Sequence, residues 1–110
     1  AFTAECPTLD LQEQQALLSK APSRGQSMKL FEACQRGSSG DISLGEIVIK
    51  KCEDTFLGKL SKSKHDAYGR KIKACWHKYA RQSGTMYRSF EAFCAAGVAQ
   101  TYAQRASAKN

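Results

Sequence analysis

No stretch of this 110-residue chain approaches the ~18 consecutive apolar residues that a membrane-spanning helix needs. Proline is almost absent: Pro7 and Pro22 are the only two, so nothing after residue 22 carries a ring that would break a helix. Acidic residues thin out along the chain. Residues 1–57 hold eight Asp/Glu against six Lys/Arg, whereas residues 58–110 hold two against eleven. Histidine is limited to His65 and His77, twelve apart, which excludes the close pairs from which zinc sites are built. The five cysteines include no Cys-x-x-Cys pair, so neither a zinc knuckle nor a thioredoxin-type redox site is expected. G-x-S-x-G, phosphate-loop, dinucleotide and c-type haem motifs are missing as well. The stretch from Asp41 has a superficial calcium-loop look, but Cys52 stands where the bidentate carboxylate belongs. The expectation is therefore a protein without catalytic residues, cofactor or metal.

A chain this short has enough apolar surface for one core, so 1–110 reads as a single domain. Residues 1–26 form an N-terminal segment with a short helix, 27–105 the bundle and 106–110 a tail. Cysteines spaced 28, 18, 23 and 19 apart suit disulfides in an oxidising compartment. The start at Ala1-Phe2-Thr3 resembles a processed end, and the expectation is a periplasmic or secreted protein after signal-peptide removal.

The pattern predicts an all-α fold, a disulfide-stapled bundle of four to five helices. A first helix over Thr8–Lys20 takes Thr8 as its cap, and a second over Ser27–Gln35 stops before Gly37. Ser43-Leu44-Gly45-Glu46 has the form of a capping box opening a third, whose stripe is Ile49, Cys52, Phe56 and Leu60. A fourth, His65–Gln82, places Tyr68, Ile72, Cys75, Trp76 and Tyr79 on its buried face. Ser83-Gly84 then breaks the chain, and Thr85 caps a fifth helix lined by Met86, Phe90, Phe93, Cys94, Val98, Thr101 and Tyr102.

Cys75 lies nine residues before Gly84 and Cys94 ten after it, so a C-terminal antiparallel hairpin brings both to one height and predicts their disulfide. Cys34 and Cys52 flank the Gly37–Gly40 turn less symmetrically, yet pair if the second helix overlaps the start of the third. Cys6 is then either tethered elsewhere or a free thiol open to intermolecular pairing. Cys75-Trp76-His77 is no catalytic dyad, because neighbours on a helix diverge and an oxidised Cys75 is no nucleophile.

The basic second half offers a binding face: Lys59, Lys62, Lys64, Arg70, Lys71, Lys73, His77, Lys78 and Arg81. Nucleic acid is disfavoured, since the interleaved aromatics fall on the predicted core side and an exported protein rarely meets its specific DNA or RNA. Anionic lipid, polysaccharide or a carboxylate-bearing protein cleft suits the compartment better.

Ser83-Gly84-Thr85-Met86-Tyr87, followed by Cys94 and an Ala-rich helix to Arg105, resembles the C-terminal part of the lysozyme inhibitor LprI-like family, small exported bacterial helical domains with two disulfides. Glu46 followed by Cys52 is similar to that family's earlier Glu-Met-x-x-Cys element. Before Cys75 the chain reads Tyr68-Gly69-Arg70-Lys71-Ile72-Lys73-Ala74, where the family usually has an Ala-Gln-Arg-x-Trp helix ending Arg-Asp-x-x-Cys. The resemblance covers residues 34 to 105 and implies that Cys34, Cys52, Cys75 and Cys94 are the four family cysteines. It also implies a protein that blocks a peptidoglycan-cleaving enzyme, as a lysozyme inhibitor or periplasmic immunity protein, with Lys or Arg set against the catalytic carboxylates of a muramidase. The alternative is an envelope adaptor that holds an anionic lipid, a polysaccharide or an acidic protein through the basic face. A third is a carrier with an apolar cavity lined by Phe56, Tyr68, Met86 and Phe90.

Overall fold

The computed structural model describes residues 5–108, and among them every regular element is a helix. Five α-helices follow in order: α1 (Leu11–Lys20), α2 (Arg24–Ala33), α3 (Gly40–Phe56), α4 (Lys62–Tyr79) and α5 (Thr85–Ala108), with one 3₁₀ turn, Leu57–Lys59, closing α3. Five helices and two disulfides realise the expected small stapled bundle. Of the predicted tail, residues 106–108 continue α5, and 109–110 lie outside the described residues.

Side-chain oxygens placed just before α1, α2 and α4 fix where these helices start. Asp10 caps α1 by accepting from Glu13 N at 2.9 Å, Ser23 caps α2 from Gln26 N at 3.2 Å, and Ser61 caps α4 from Lys64 N at 3.4 Å. Each start therefore lies three residues beyond or before the predicted one. Thr8 is drawn away from the α1 cap: its hydroxyl accepts from Asp10 N and donates to the Glu13 carboxylate. Ser27 lies inside α2, fully buried, donating to Leu18 O at 3.1 Å.

The predicted capping box at Ser43 does not form. Ser43 lies within α3 and donates to Gly40 O at 3.0 Å. The amides ahead of α3 are taken instead by Asp41, whose fully buried carboxylate accepts from Arg36 N (2.9 Å), Gly37 N (2.9 Å) and Ser89 Oγ (2.6 Å). Gly37, at φ 68°, adopts the left-handed conformation that presents its amide to Asp41.

α5 is the central helix. It packs on α3 along one side and on α4 along another, while α1 and α2 cover α3. Successive contacts Asp41 with Ser89, Gly45 with Ala92 and Cys52 with Gln100 rise together in number, so α3 and α5 run parallel. Their approach is close because α5 offers Ala92, Ala96, Ala99 and Ala103, all buried. A methyl added at Gly45 would lie 3.3 Å from both Ala92 Cβ and the Phe31 ring. The buried side of α5 is thus an alanine ridge flanked by the half-buried Phe93, Cys94, Val98 and Tyr102 of the predicted stripe, while its Met86 (51%), Phe90 (38%) and Thr101 are exposed. Phe93 stacks on Phe31, ring centroids 3.9 Å apart, and so ties α2 to α5.

The disulfides are Cys75–Cys94, as the hairpin geometry predicts, and Cys6–Cys34. This corrects the pairing expected for Cys34 and Cys52. Cys34 stays at the end of α2, whereas Cys52 sits twelve residues into α3, roughly 18 Å from its start at helical rise. A disulfide needs Cα atoms within about 7 Å. Cys6 reaches Cys34 at a Cα separation of 4.9 Å, so the thiol left over is Cys52, buried, and not Cys6. Each closed loop contributes about 3 to 4 kcal/mol in the chain-entropy model.

Asp41→Ala should lower stability by about 3 kcal/mol, since it strips a charged acceptor from two partly buried amides and a buried hydroxyl. Ser43→Ala should change it by about 0.5 kcal/mol or less, because that residue caps nothing. Urea unfolding followed by circular dichroism measures both, and a larger loss at Ser43 than at Asp41 would contradict this structure.

Candidate functional site

α4 is an outer layer. It meets α5 through Tyr68 and Cys75, with Ile72 and Tyr79 half-buried beside them, and the rest of its circumference faces solvent. Helical spacing aligns Lys62, Asp66, Arg70, Lys73 and His77 in one outward row, each side chain exposed. The row covers roughly 22 Å at helical rise. Its one acid, Asp66, stands among three Lys/Arg charges and a histidine. Arg81 continues the cationic side on the exposed turn that follows.

The nine residues predicted as a binding face do not form one patch. Lys62, Arg70, Lys73, His77 and Arg81 share the outward side. Lys71 and Lys78 lie on the flank toward α5, where Lys71 Nζ is 5.3 Å from the Tyr102 ring centre and Lys78 Nζ 5.4 Å from that of Tyr79. Lys59 and Lys64 belong to a third place, a groove at the end of the bundle shared with Phe56, Tyr102 and Arg105. None of the nine makes an ion pair among the described residues; Arg88 and Glu91 do, at 3.2 Å. Arg88 also donates to Tyr79 O at 2.6 Å and to Gln82 O at 3.3 Å, fastening the turn that carries Arg81.

Trp76 departs from its predicted place in the core. It is 52% exposed and lies in a shallow apolar hollow with Ile42, Ile49 and Ala95. α4 packs mainly on α5 and meets α3 chiefly where Tyr68 reaches Glu53 and Phe56, so the side of α4 that carries Trp76 is only partly covered. The four residues of the predicted carrier cavity are also separated. Phe56 and Tyr68 pack edge-on in the core, ring centroids 5.0 Å apart, whereas Met86 and Phe90 are exposed on α5 near the Gly84 turn. Arg105, which joins Lys59 and Lys64, was not among the predicted site residues. It sits more than forty residues away in sequence, and nothing local links it to them.

Two buried groups titrate far from their ordinary ranges. Cys52, fully buried, donates its thiol proton to Gln100 Oε1 at 3.2 Å. Burial pushes its pKa up from 9.0 to about 11, the Arg24 charge opposing and that of Glu53 adding to the rise. Tyr68 donates to Glu53 Oε2 at 2.7 Å, and burial together with that carboxylate drives its pKa strongly upward. At neutral pH Cys52 is a protonated core thiol, a poor nucleophile.

Because the folded protein holds the Cys52 proton to higher pH than the unfolded chain does, stability should fall as pH rises from 9 toward 11. Native protein at pH 8 should resist iodoacetamide, and one thiol should react once urea unfolds the chain. Cys52→Ser should flatten part of the alkaline loss measured by urea titration at stepped pH. Fast native alkylation, or stability rising across that interval, would contradict the assignment.

Compared with known proteins, the chain matches no family model, no curated protein and no solved structure.

Proposed function

We propose that this protein is a non-catalytic binding protein of an oxidising compartment outside the cytoplasm, which holds an anionic envelope partner against the outward face of α4. The observation that carries the reading is the row Lys62, Arg70, Lys73 and His77, extended by Arg81, exposed and without ion pairs among the described residues. The hairpin behind it is cross-linked by Cys75–Cys94 and its turn is fastened by Arg88, so the row is held rigid and little ordering is needed on binding. A linear array of charge fits an extended anionic surface, such as polysaccharide or lipid head groups, better than it fits a compact cleft. Two disulfides, and the lack among the described residues of a helix long and apolar enough to cross a membrane, are compatible with export.

A narrower second reading is inhibition of a peptidoglycan-cleaving enzyme. It draws on the turn between α4 and α5, where residues 80–86 are exposed and Arg81 is the projecting cation, shaped to enter a cleft and meet paired carboxylates. The resemblance to lysozyme inhibitors lends it less weight now that Cys34 pairs with Cys6.

Binding to anionic vesicles or an acidic polysaccharide should weaken about tenfold or more as salt rises from roughly 50 to 300 mM, and the triple variant R70E/K73E/R81E should abolish it. Binding that survives the triple reversal would leave the row a solubility feature. For the second reading, Arg81→Glu alone should remove inhibition in a titration against several muramidases, and no inhibition by the native protein at micromolar concentration would sink it.

A further inference from the structure

Where α3 ends in its 3₁₀ turn, α4 begins and α5 runs on past residue 102, the three leave a groove with about 540 Å³ of space. That lies within the range of roughly 300 to 1,000 Å³ typical of small-molecule sites. Phe56, Leu60 and Tyr102 supply its floor, and Lys59, Lys64 and Arg105 its rim. Phe56 is 1% exposed, so the floor is continuous with the core. Not one lining residue is a carboxylate. The three rim cations are exposed, repel one another, and make no ion pair among the described residues.

These features restrict the guest from two directions. A hydrophilic anion would answer the rim and leave the apolar floor in water. A neutral hydrocarbon would cover the floor and desolvate three charges without compensation. A molecule with one anionic head and one apolar chain satisfies both. We propose that this groove binds a single-chain fatty carboxylate, its head among Lys59, Lys64 and Arg105 and its chain along Phe56, Leu60 and Tyr102. The site is distinct from the outward row of α4: Lys62 and Lys64, two residues apart, project about 200° apart around the helix.

The test is a titration of the full chain with dodecanoate below its micelle concentration, followed by backbone amide shifts. The expected result is saturable one-to-one binding, with shifts centred on residues 56–67 and 102–106. The reversal K59E/K64E/R105E should weaken it about tenfold or more, and so should Ala67→Trp, which fills the groove without changing charge. Dodecan-1-ol and sulfate should each bind at least about tenfold more weakly than dodecanoate. R70E/K73E/R81E should leave dodecanoate affinity within about twofold, whatever becomes of the outward row. Should the groove reversal fail to fold by circular dichroism, the Ala67→Trp variant and the two control ligands decide. Absence of saturable shifts, affinity unchanged in Ala67→Trp, or sulfate or dodecan-1-ol binding as well as dodecanoate would overturn the proposal.

Discussion

One buried carboxylate sets the geometry on which the rest depends. Asp41 takes two amides of the turn after α2 and the hydroxyl of Ser89 on α5, so a single group fixes where α3 starts and how α5 lies against it. A buried carboxylate is costly unless each acceptor site is used, and here the partners come from two separate parts of the chain. That requirement makes the arrangement specific. With Asp41 opposite Ser89, helical periodicity brings Gly45 to Ala92 and Cys52 to Gln100, and small residues fall where the two backbones come closest.

Parallel α3 and α5 require a return path, and α4 supplies it. Running antiparallel on the outside of α5 and cross-linked by Cys75–Cys94, it contributes few side chains to the core and keeps most of its surface in water. Its composition follows from that position: cations along the solvent side, Tyr68 and Cys75 beneath. Trp76 and the hollow beside it are a consequence of the same geometry, since α4 leaves the outer side of α3 uncovered. The groove at the other end exists because α3 stops at its 3₁₀ turn while α5 continues beyond it, so Tyr102 faces the last turn of α3 and Arg105 and Ala106 stand past it.

The number of helices and the Cys75–Cys94 hairpin were legible in the sequence because both are local: apolar periodicity, glycine breaks and a symmetric spacing about Gly84 carry them, even though the predicted caps at Thr8 and Ser43 do not form. What escaped was set by contacts between distant residues. Ser43 and Glu46 have the spacing of a capping box, but Asp41 had already claimed the start of α3 through Arg36, Gly37 and Ser89. Large side chains on α5 suggested Met86 and Phe90 as its buried side, whereas a closely packed helix pair buries alanine instead. Cys34 and Cys52 flank a turn and invite pairing by position, yet a continuous α3 carries Cys52 three turns away. The basic residues were found as a set, and their division among an outward row, an aromatic flank and a groove depended on helix phase and on where Arg105 falls.

With α3 running unbroken from the start that Asp41 fixes, Cys52 is carried away from Cys34, and Cys6–Cys34 and Cys75–Cys94 frame a reduced, buried Cys52. Non-reducing peptide mapping by mass spectrometry, with thiols alkylated at low pH during unfolding, tests this arrangement most directly. Peptides linked through Cys6–Cys34 and Cys75–Cys94 and a single alkylated cysteine, Cys52, are the expected result. A Cys34–Cys52 link with Cys6 alkylated would contradict it.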